Sequence, residues 1–170
     1  RVRFMGRSSD QWIADLSSDV VETRRKAAGV LGWIGQEAIS PLVEALRDRD
    51  STVRERAAAS LGELGLEALP ALMLTLQSND SVARAGAVHA LSHVGVDASP
   101  ALFQLLRESS VPEAVKEDVL NILCSTGSAS IPHLLDAMSE PKTRFQALTV
   151  IRKLGTESVP GLLECFESAG

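Results

Sequence analysis

The stretch that decides the fold is Asp50–Leu76, which reads DSTVRERAAASLGELGLEALPALMLTL. On both sides of Gly65 its apolar residues recur at three- and four-residue steps, the periodicity of an α-helix. A glycine between two such patterns indicates a left-handed C-cap that ends the first helix. Pro70 then falls where a second helix would begin, because the first turn of a helix tolerates a residue without an N–H. The stretch therefore predicts one helical hairpin.

The same hairpin pattern recurs five times along the 170 residues. The glycines that end the first helices are separated by 30, 30, 32 and 28 residues: Gly35, Gly65, Gly95, Gly127 and Gly155. Seven residues after each glycine stands a leucine: Leu42, Leu72, Leu102, Leu134 and Leu162. Eight residues before each glycine stands an apolar residue: Ala27, Ala57, Ala87, Val119 and Ala147. A single hairpin cannot bury its apolar face, so the copies are predicted to stack on one another.

The repeat frame predicts one repeat domain over residues 1–170. It begins with a partial copy at 9–17, and full copies follow at about 19–48, 49–78, 79–108, 109–140 and 141–170. The two extra residues of the fourth copy fall in Glu108–Glu113, where a loop is expected because insertions cost least there. Arg1–Arg7 is expected to be a disordered lead-in or a remnant of the partial copy. Trp12 and Trp33 are expected to pack near the N-terminus, although an exposed tryptophan there would suit a partner.

Asp50–Leu76 resembles the short HEAT-like repeats of about 30 residues that also occur in phycobilin lyases, and the resemblance covers residues 9–168. It implies an all-α fold, an α-α superhelix of the HEAT-like or armadillo-like kind. In that fold a right-handed solenoid of stacked hairpins has its second helices along the concave face. It also implies that the basic residue eleven before each glycine bridges neighbouring copies: Arg24, Arg54, Arg84, Lys116 and Arg144. The same scaffold serves binding proteins, assembly factors, lyase subunits and DNA glycosylases, so the resemblance leaves the function open.

An acidic stripe follows the second helices on the side away from the core. At about 100° per residue, the positions two, six, nine and thirteen after each glycine cluster opposite the apolar ones. Ten of these 20 positions are carboxylates and none is Lys or Arg. The helix dipole accounts for the four in first turns: Glu37, Glu67, Asp97 and Glu157. A solvated face is the plain interpretation of the rest. The functional interpretation makes the stripe a partner-binding surface of Glu44, Asp48, Gln104, Glu108, His133, Asp136, Glu140 and Glu164.

Composition disfavours several other classes of protein. A net charge of −5 argues against nucleic acid or an anionic membrane as partner, because both attract excess Lys and Arg. Cys124 and Cys165 do not make a disulfide framework, so the cytoplasm is expected, and neither has a residue placed to activate it. His89 and His93 have a spacing that can chelate a metal, but no carboxylate accompanies them. No catalytic residue, metal or cofactor is predicted.

These observations predict a non-catalytic scaffold for protein–protein interaction, which binds a basic peptide or protein surface along its concave face. A subunit of a phycobilin-lyase-like or other assembly factor is the alternative that the resemblance leaves open. Nucleic-acid binding is disfavoured, because it needs a basic concave face. Leu162, Leu163 and Phe166 end the last copy with no sequence to cap them, so a longer solenoid and end-to-end self-association both stay open.

Overall fold

The computed structural model describes the backbone of residues 3–168 and the side chains of residues 5–165 and of Glu167. It divides the chain into two compact units, Arg1–Val94 and Gly95–Gly170. Both units are built from helical hairpins, so the predicted all-α solenoid class is confirmed. The prediction of a single repeat domain over residues 1–170 stays a prediction. Phe166 and Ser168, which the repeat frame places eleven and thirteen residues after Gly155, lie outside the described side chains.

The first unit opens with a two-stranded antiparallel hairpin of β1, Arg3–Phe4, and β2, Arg7–Ser8. Between the strands the chain reverses through Met5 and Gly6, whose φ angles are 52° and 78°. The expectation of a disordered lead-in or a helical remnant over Arg1–Arg7 is therefore wrong for its described part. The physical reason is this glycine-containing turn, which the helical repeat frame does not contain.

Six helices follow in the first unit: α1 Ser9–Asp15, α2 Val21–Leu31, α3 Ile39–Ala45, α4 Ser51–Glu63, α5 Leu69–Leu76 and α6 Ser81–Val94. The first helices of the copies pack side by side, α2 against α4 and α4 against α6. The second helices form the other layer, in which α3 packs against α5. α1 is the second helix expected for the partial copy.

The second unit contains five helices: α7 Ser99–Arg107, α8 Glu113–Ser125, α9 Ile131–Ser139, α10 Arg144–Leu154 and α11 Ser158–Ser168. Its two layers repeat the scheme, with α8 against α10 and with α7 and α11 against α9. The loop between α7 and α8 holds the two extra residues of the fourth copy, as predicted.

Four first helices end within two residues of a glycine with a positive φ, whereas α2 ends at Leu31, four residues before Gly35. A short 3₁₀ turn then leads into each second helix. The five φ angles are 99°, 58°, 75°, 61° and 57° for Gly35, Gly65, Gly95, Gly127 and Gly155. A Cβ built on any of them would meet nothing within 4 Å, so conformation rather than space requires glycine here. Pro70, Pro100 and Pro132 lie in the first turns of α5, α7 and α9. The predicted glycines after the first helices and the predicted prolines in the first turns of second helices are therefore confirmed.

The core consists of the apolar residues that the repeat frame selects. The leucines seven residues after the first four glycines are fully buried: Leu42, Leu72, Leu102 and Leu134. The five apolar residues eight before the glycines are also fully buried. Trp12 packs as expected, with 4% of its surface exposed and the Arg7 guanidinium 4.6 Å from its ring centroid. Trp33 does not pack in this way, because 68% of its surface is exposed.

Four arginines of the basic series hold the loops that precede their own helices. In each case the guanidinium donates to a backbone oxygen six residues earlier: Arg24 to Ser18, Arg54 to Asp48, Arg84 to Ser78 and Arg144 to Met138. These carbonyls lie at the end of the preceding copy, so the arginines bridge neighbouring copies as the resemblance implies. Lys116 differs, since its ammonium donates to Glu113 one turn earlier on the same helix.

Candidate functional site: the acidic stripe of the second helices

In the first unit, the acidic stripe projects from the positions two and nine after each glycine. Glu37 and Glu67 are exposed in the 3₁₀ turns, and 78% of the Glu44 side chain is exposed. Leu74 occupies the position of Glu44 in the next copy and is 75% exposed. The first-unit stripe is therefore acidic with one apolar side chain standing on it.

Asp48 belongs to the stripe by position but serves the fold. Its carboxylate accepts hydrogen bonds from Arg24 Nε at 2.8 Å and Arg24 Nη2 at 3.2 Å, and from the Asp50 N–H at 2.8 Å. Burial alone would raise the pKa of Asp48, but the bonds from Arg24 and Asp50 lower it below its usual value. Only 12% of the side chain is exposed. Its negative charge is therefore neutralised within the protein.

In the second unit, the stripe contains four exposed residues among those that the sequence predicts to bind a partner: Gln104, Glu108, Asp136 and Glu164. His133 is half-buried. Glu140 accepts a hydrogen bond from Arg107 Nη2 at 2.6 Å, with 44% of its side chain exposed. Glu140 therefore resembles Asp48 in having an arginine partner, although it keeps more contact with solvent.

The position six after each glycine is half-buried or buried in all five copies. A Cβ on Gly161 would lie 2.9 Å from Ile131 Cγ1 and 3.0 Å from the Ser128 carbonyl oxygen, so α11 approaches the preceding copy too closely for a side chain there. Pro41, Ala71 and Ala101 hold this position in other copies and are half-buried. A helical wheel for an isolated helix does not show this, because the contact belongs to the stacking of helices.

The sequence patterns described above do not predict the ion pairs of two arginines that lie next to the stripe. Arg47 Nε donates to Asp80 at 2.7 Å, and Arg107 makes the equivalent bond to Glu140, with 33 residues between the partners in both pairs. Arg47 also lies 3.6 Å from Glu44. The sequence does contain a signal for these two pairs, because an arginine stands twelve residues after both Gly35 and Gly95. The stripe itself lacks basic residues, but its border does not.

A groove lies on the surface between α1 and α3, beside the stripe, and we call it the α1–α3 groove. Its volume is about 390 Å³, and it is lined by Ile13, Leu16, Ser17, Pro41, Glu44, Ala45, Arg47 and Asp48. Ile13, Leu16 and Pro41 give it an apolar wall, while Glu44 adds an exposed carboxylate. The groove therefore combines an apolar surface with the exposed carboxylate of Glu44, which lies 3.6 Å from the guanidinium of Arg47.

Other chemistry is sparse in the part of the chain that the structure describes. Burial raises the pKa of the Cys124 thiol and Lys153 opposes the shift, so the reactive thiolate is disfavoured. Among residues 3–168, no cluster of three or more His, Cys, Asp and Glu side chains is arranged to hold a metal ion. Across the same residues, no helix has the length and apolar composition that a bilayer crossing requires.

Comparisons with known proteins come from a family model and from solved structures. The family model described as HEAT repeats matches residues 9–92. No curated protein matches the chain. A chain of the complex of CpcE and CpcF of phycocyanin lyase from Nostoc sp. PCC7120 is 28% identical over 96% of this chain and 71% of that chain, with a TM-score of 0.46.

Two engineered proteins are each 20% identical over 91% of this chain. The match covers 83% of one engineered chain and 89% of the other, with TM-scores of 0.40 and 0.39. The family assignment rests instead on the match over residues 9–92 and on the hairpins that continue the same residue pattern to Gly155 and beyond. On this evidence residues 9–92 are HEAT repeats.

Proposed function

We propose that the chain is a non-catalytic scaffold that binds a basic peptide or a basic protein surface along its acidic stripe. The observation that supports this best is the α1–α3 groove, where the exposed carboxylate of Glu44 stands beside the apolar side chains of Ile13 and Leu16. A lysine or arginine of the partner matches both the apolar wall of the groove and the Glu44 carboxylate. Its methylene stem can lie on the apolar wall while its charged end meets the carboxylate.

In the second unit, the proposed contacts are the exposed residues Glu108, Asp136 and Glu164, together with Gln104 and His133. Exposed carboxylates attract a cationic partner at a distance and raise the association rate, and salt screens that attraction. Asp48 and Glu140 accept hydrogen bonds from arginines, so we assign them to holding the shape of the stripe. Glu44 lies farther from its arginine, 3.6 Å from Arg47, and is 78% exposed, so it stays a proposed contact. Leu74 offers one exposed apolar contact among the charges of the first unit.

The test begins with a pull-down from a cell extract at low and at high salt. The affinity of the chain is then measured for each partner that the pull-down identifies. The stripe variant carries Glu44→Lys, Asp136→Lys and Glu164→Lys. We expect its affinity to fall about tenfold or more, because like charges then face each other. High salt should release the partner from the wild-type chain.

A matched control variant carries Glu55→Lys, Glu63→Lys and Glu117→Lys, three exposed carboxylates on first helices. It changes the net charge by the same amount but leaves the stripe intact, so its affinity should stay within about twofold of wild type. Equal losses of affinity in both variants would show an effect of total charge and would refute binding along the stripe. Capture of a pigment-binding protein that resists high salt would favour the assembly-factor alternative.

The cytoplasm is the proposed location, because two cysteines in 170 residues are typical of a protein that does not depend on disulfides. The proposed partner is a protein or peptide, and the net charge of −5 disfavours nucleic acid. Binding of a basic protein surface needs no chemical step, so no residue of the stripe is assigned a catalytic role.

A further inference from the structure

Two histidines face each other on the exposed side of α6. His89 and His93 stand one helical turn apart, and their Nε2 atoms are 3.2 Å apart. Their ring centroids are 4.8 Å apart, so the Nε2 edges are closer to each other than the ring centres are. Both residues are exposed. Two imidazole nitrogens therefore converge on one point at the surface of the first unit.

The separation of these nitrogens suits chelation of a metal ion. With metal–nitrogen bonds of about 2.0–2.1 Å, nitrogens 3.2 Å apart subtend roughly 100° at the metal, between the octahedral and the tetrahedral angle. We propose that His89 and His93 form a bidentate site for a divalent transition-metal ion that prefers imidazole, such as Zn²⁺. The site is independent of the acidic stripe, because it lies on a first helix.

The packing of α4 against α6 holds one ligand of this pair in position. Gly62 on α4 lies directly under His93, and a Cβ there would be 2.3 Å from the His93 Cβ. Glycine at this point lets the two helices approach and fixes the base of the His93 side chain.

The coordination set is completed by water. In the described part of the chain, no third His, Cys, Asp or Glu side chain joins the two histidines. Without the metal, one Nε2–H donates to the other Nε2 across the 3.2 Å gap. On binding, both imidazoles are neutral with their protons on Nδ1, and both Nε2 lone pairs bind the metal. The ion thus replaces a hydrogen bond that already brings the nitrogens together.

The test is titration of the chain with ZnCl2 by isothermal calorimetry, with the histidine ring signals followed by NMR. The chain has three histidines, so His133→Ala serves as a matched control. We expect one Zn²⁺ per chain in wild type and in His133→Ala, with ring signals of His89 and His93 shifting together. His89→Ala and His93→Ala should each weaken binding at least about tenfold, because the second donor is no longer supplied at high effective concentration.

Circular dichroism checks that the variants keep their helices, which is expected because both side chains are exposed. Zinc affinity that survives both His89→Ala and His93→Ala would place the ion elsewhere and overturn the proposal. An equal loss in His133→Ala, or no binding at millimolar ZnCl2, would also overturn it.

Discussion

At the scale of the residue, two leucines of α5 differ in burial, because one lies in the core and the other lies on the stripe. Leu72 is fully buried and Leu74, two residues later, is 75% exposed. Leu72→Ala should lower the free energy of unfolding by about 2–5 kcal/mol, because it removes buried methyl groups and leaves a cavity. Leu74→Ala should change it by less than about 0.5 kcal/mol. Urea denaturation followed by circular dichroism measures both, and equal losses would contradict the helical register.

The same scale shows what sequence alone can and cannot predict. The buried leucines and the left-handed glycines follow from local rules, since helical periodicity and backbone conformation depend on near neighbours in the chain. The spacing of His89 and His93 on one helix also follows from such rules, but the exposure of Trp33 does not. The exposure of Trp33 depends on how the neighbouring elements pack around it.

At the scale of the element, Asp50 ties the start of α4 to α2. Its carboxylate accepts hydrogen bonds from Arg25 Nε at 3.0 Å and Nη2 at 2.7 Å, and from the Val53 N–H at 3.0 Å. The bond from Arg25 is the main cause that lowers the pKa of Asp50 to about 2, from an ordinary 3.8. Asp50 is therefore the N-cap of α4. Its arginine partner, 25 residues away in the preceding copy, was not predicted.

This pKa makes the stability of the fold sensitive to acid. A carboxyl whose folded pKa is depressed stabilises the fold above its unfolded pKa and loses that contribution as the pH falls through the folded value. For Asp50 the loss falls between about pH 4 and pH 2. Asp50→Asn and Arg25→Gln should each reduce the decline of the urea midpoint over this range. An unchanged decline in both variants would contradict the assignment to this pair.

Some of the acid sensitivity should remain in those variants. The bond from Arg47 lowers the pKa of Asp80, and the backbone N–H of Ala83 adds to the effect. The arginine partners of Asp48, Asp50 and Asp80 lie 24, 25 and 33 residues before them in sequence. The helical wheel of a single helix assigns the acidic positions to one side. It cannot assign these pairs, because they depend on which loops the fold brings together.

At the scale of the whole molecule, α10 presents exposed apolar side chains on a face that is buried in first helices of the first unit. Phe145 is 77% exposed and Leu148 is 46% exposed. Among the positions equivalent to Leu148, Ala28 and Ala58 are buried where α2 packs on α4 and α4 packs on α6, and Val88 and Leu120 are half-buried. We therefore predict that the 170-residue chain self-associates through this face.

Sedimentation velocity over a range of concentrations checks this prediction. The double variant Phe145→Glu, Leu148→Glu should shift the chain toward the monomer, because a buried charge in the interface is costly. Leu74→Glu, an exposed leucine on α5, is the control and should leave the distribution unchanged. A wild-type chain that stays monomeric at every concentration would refute the self-association.

The link from an arginine to the carbonyl six residues before it also fixes the joint between two copies. It occurs before α2, α4, α6 and α10. Lys116, whose ammonium binds Glu113 instead, lies in the copy that has two extra residues. The link is kept before α10, although Gly155 follows Gly127 by 28 residues and the earlier spacing is 30. It therefore constrains the joint and not the length of a copy, so duplication or recombination between copies that carry the arginine preserves the joint.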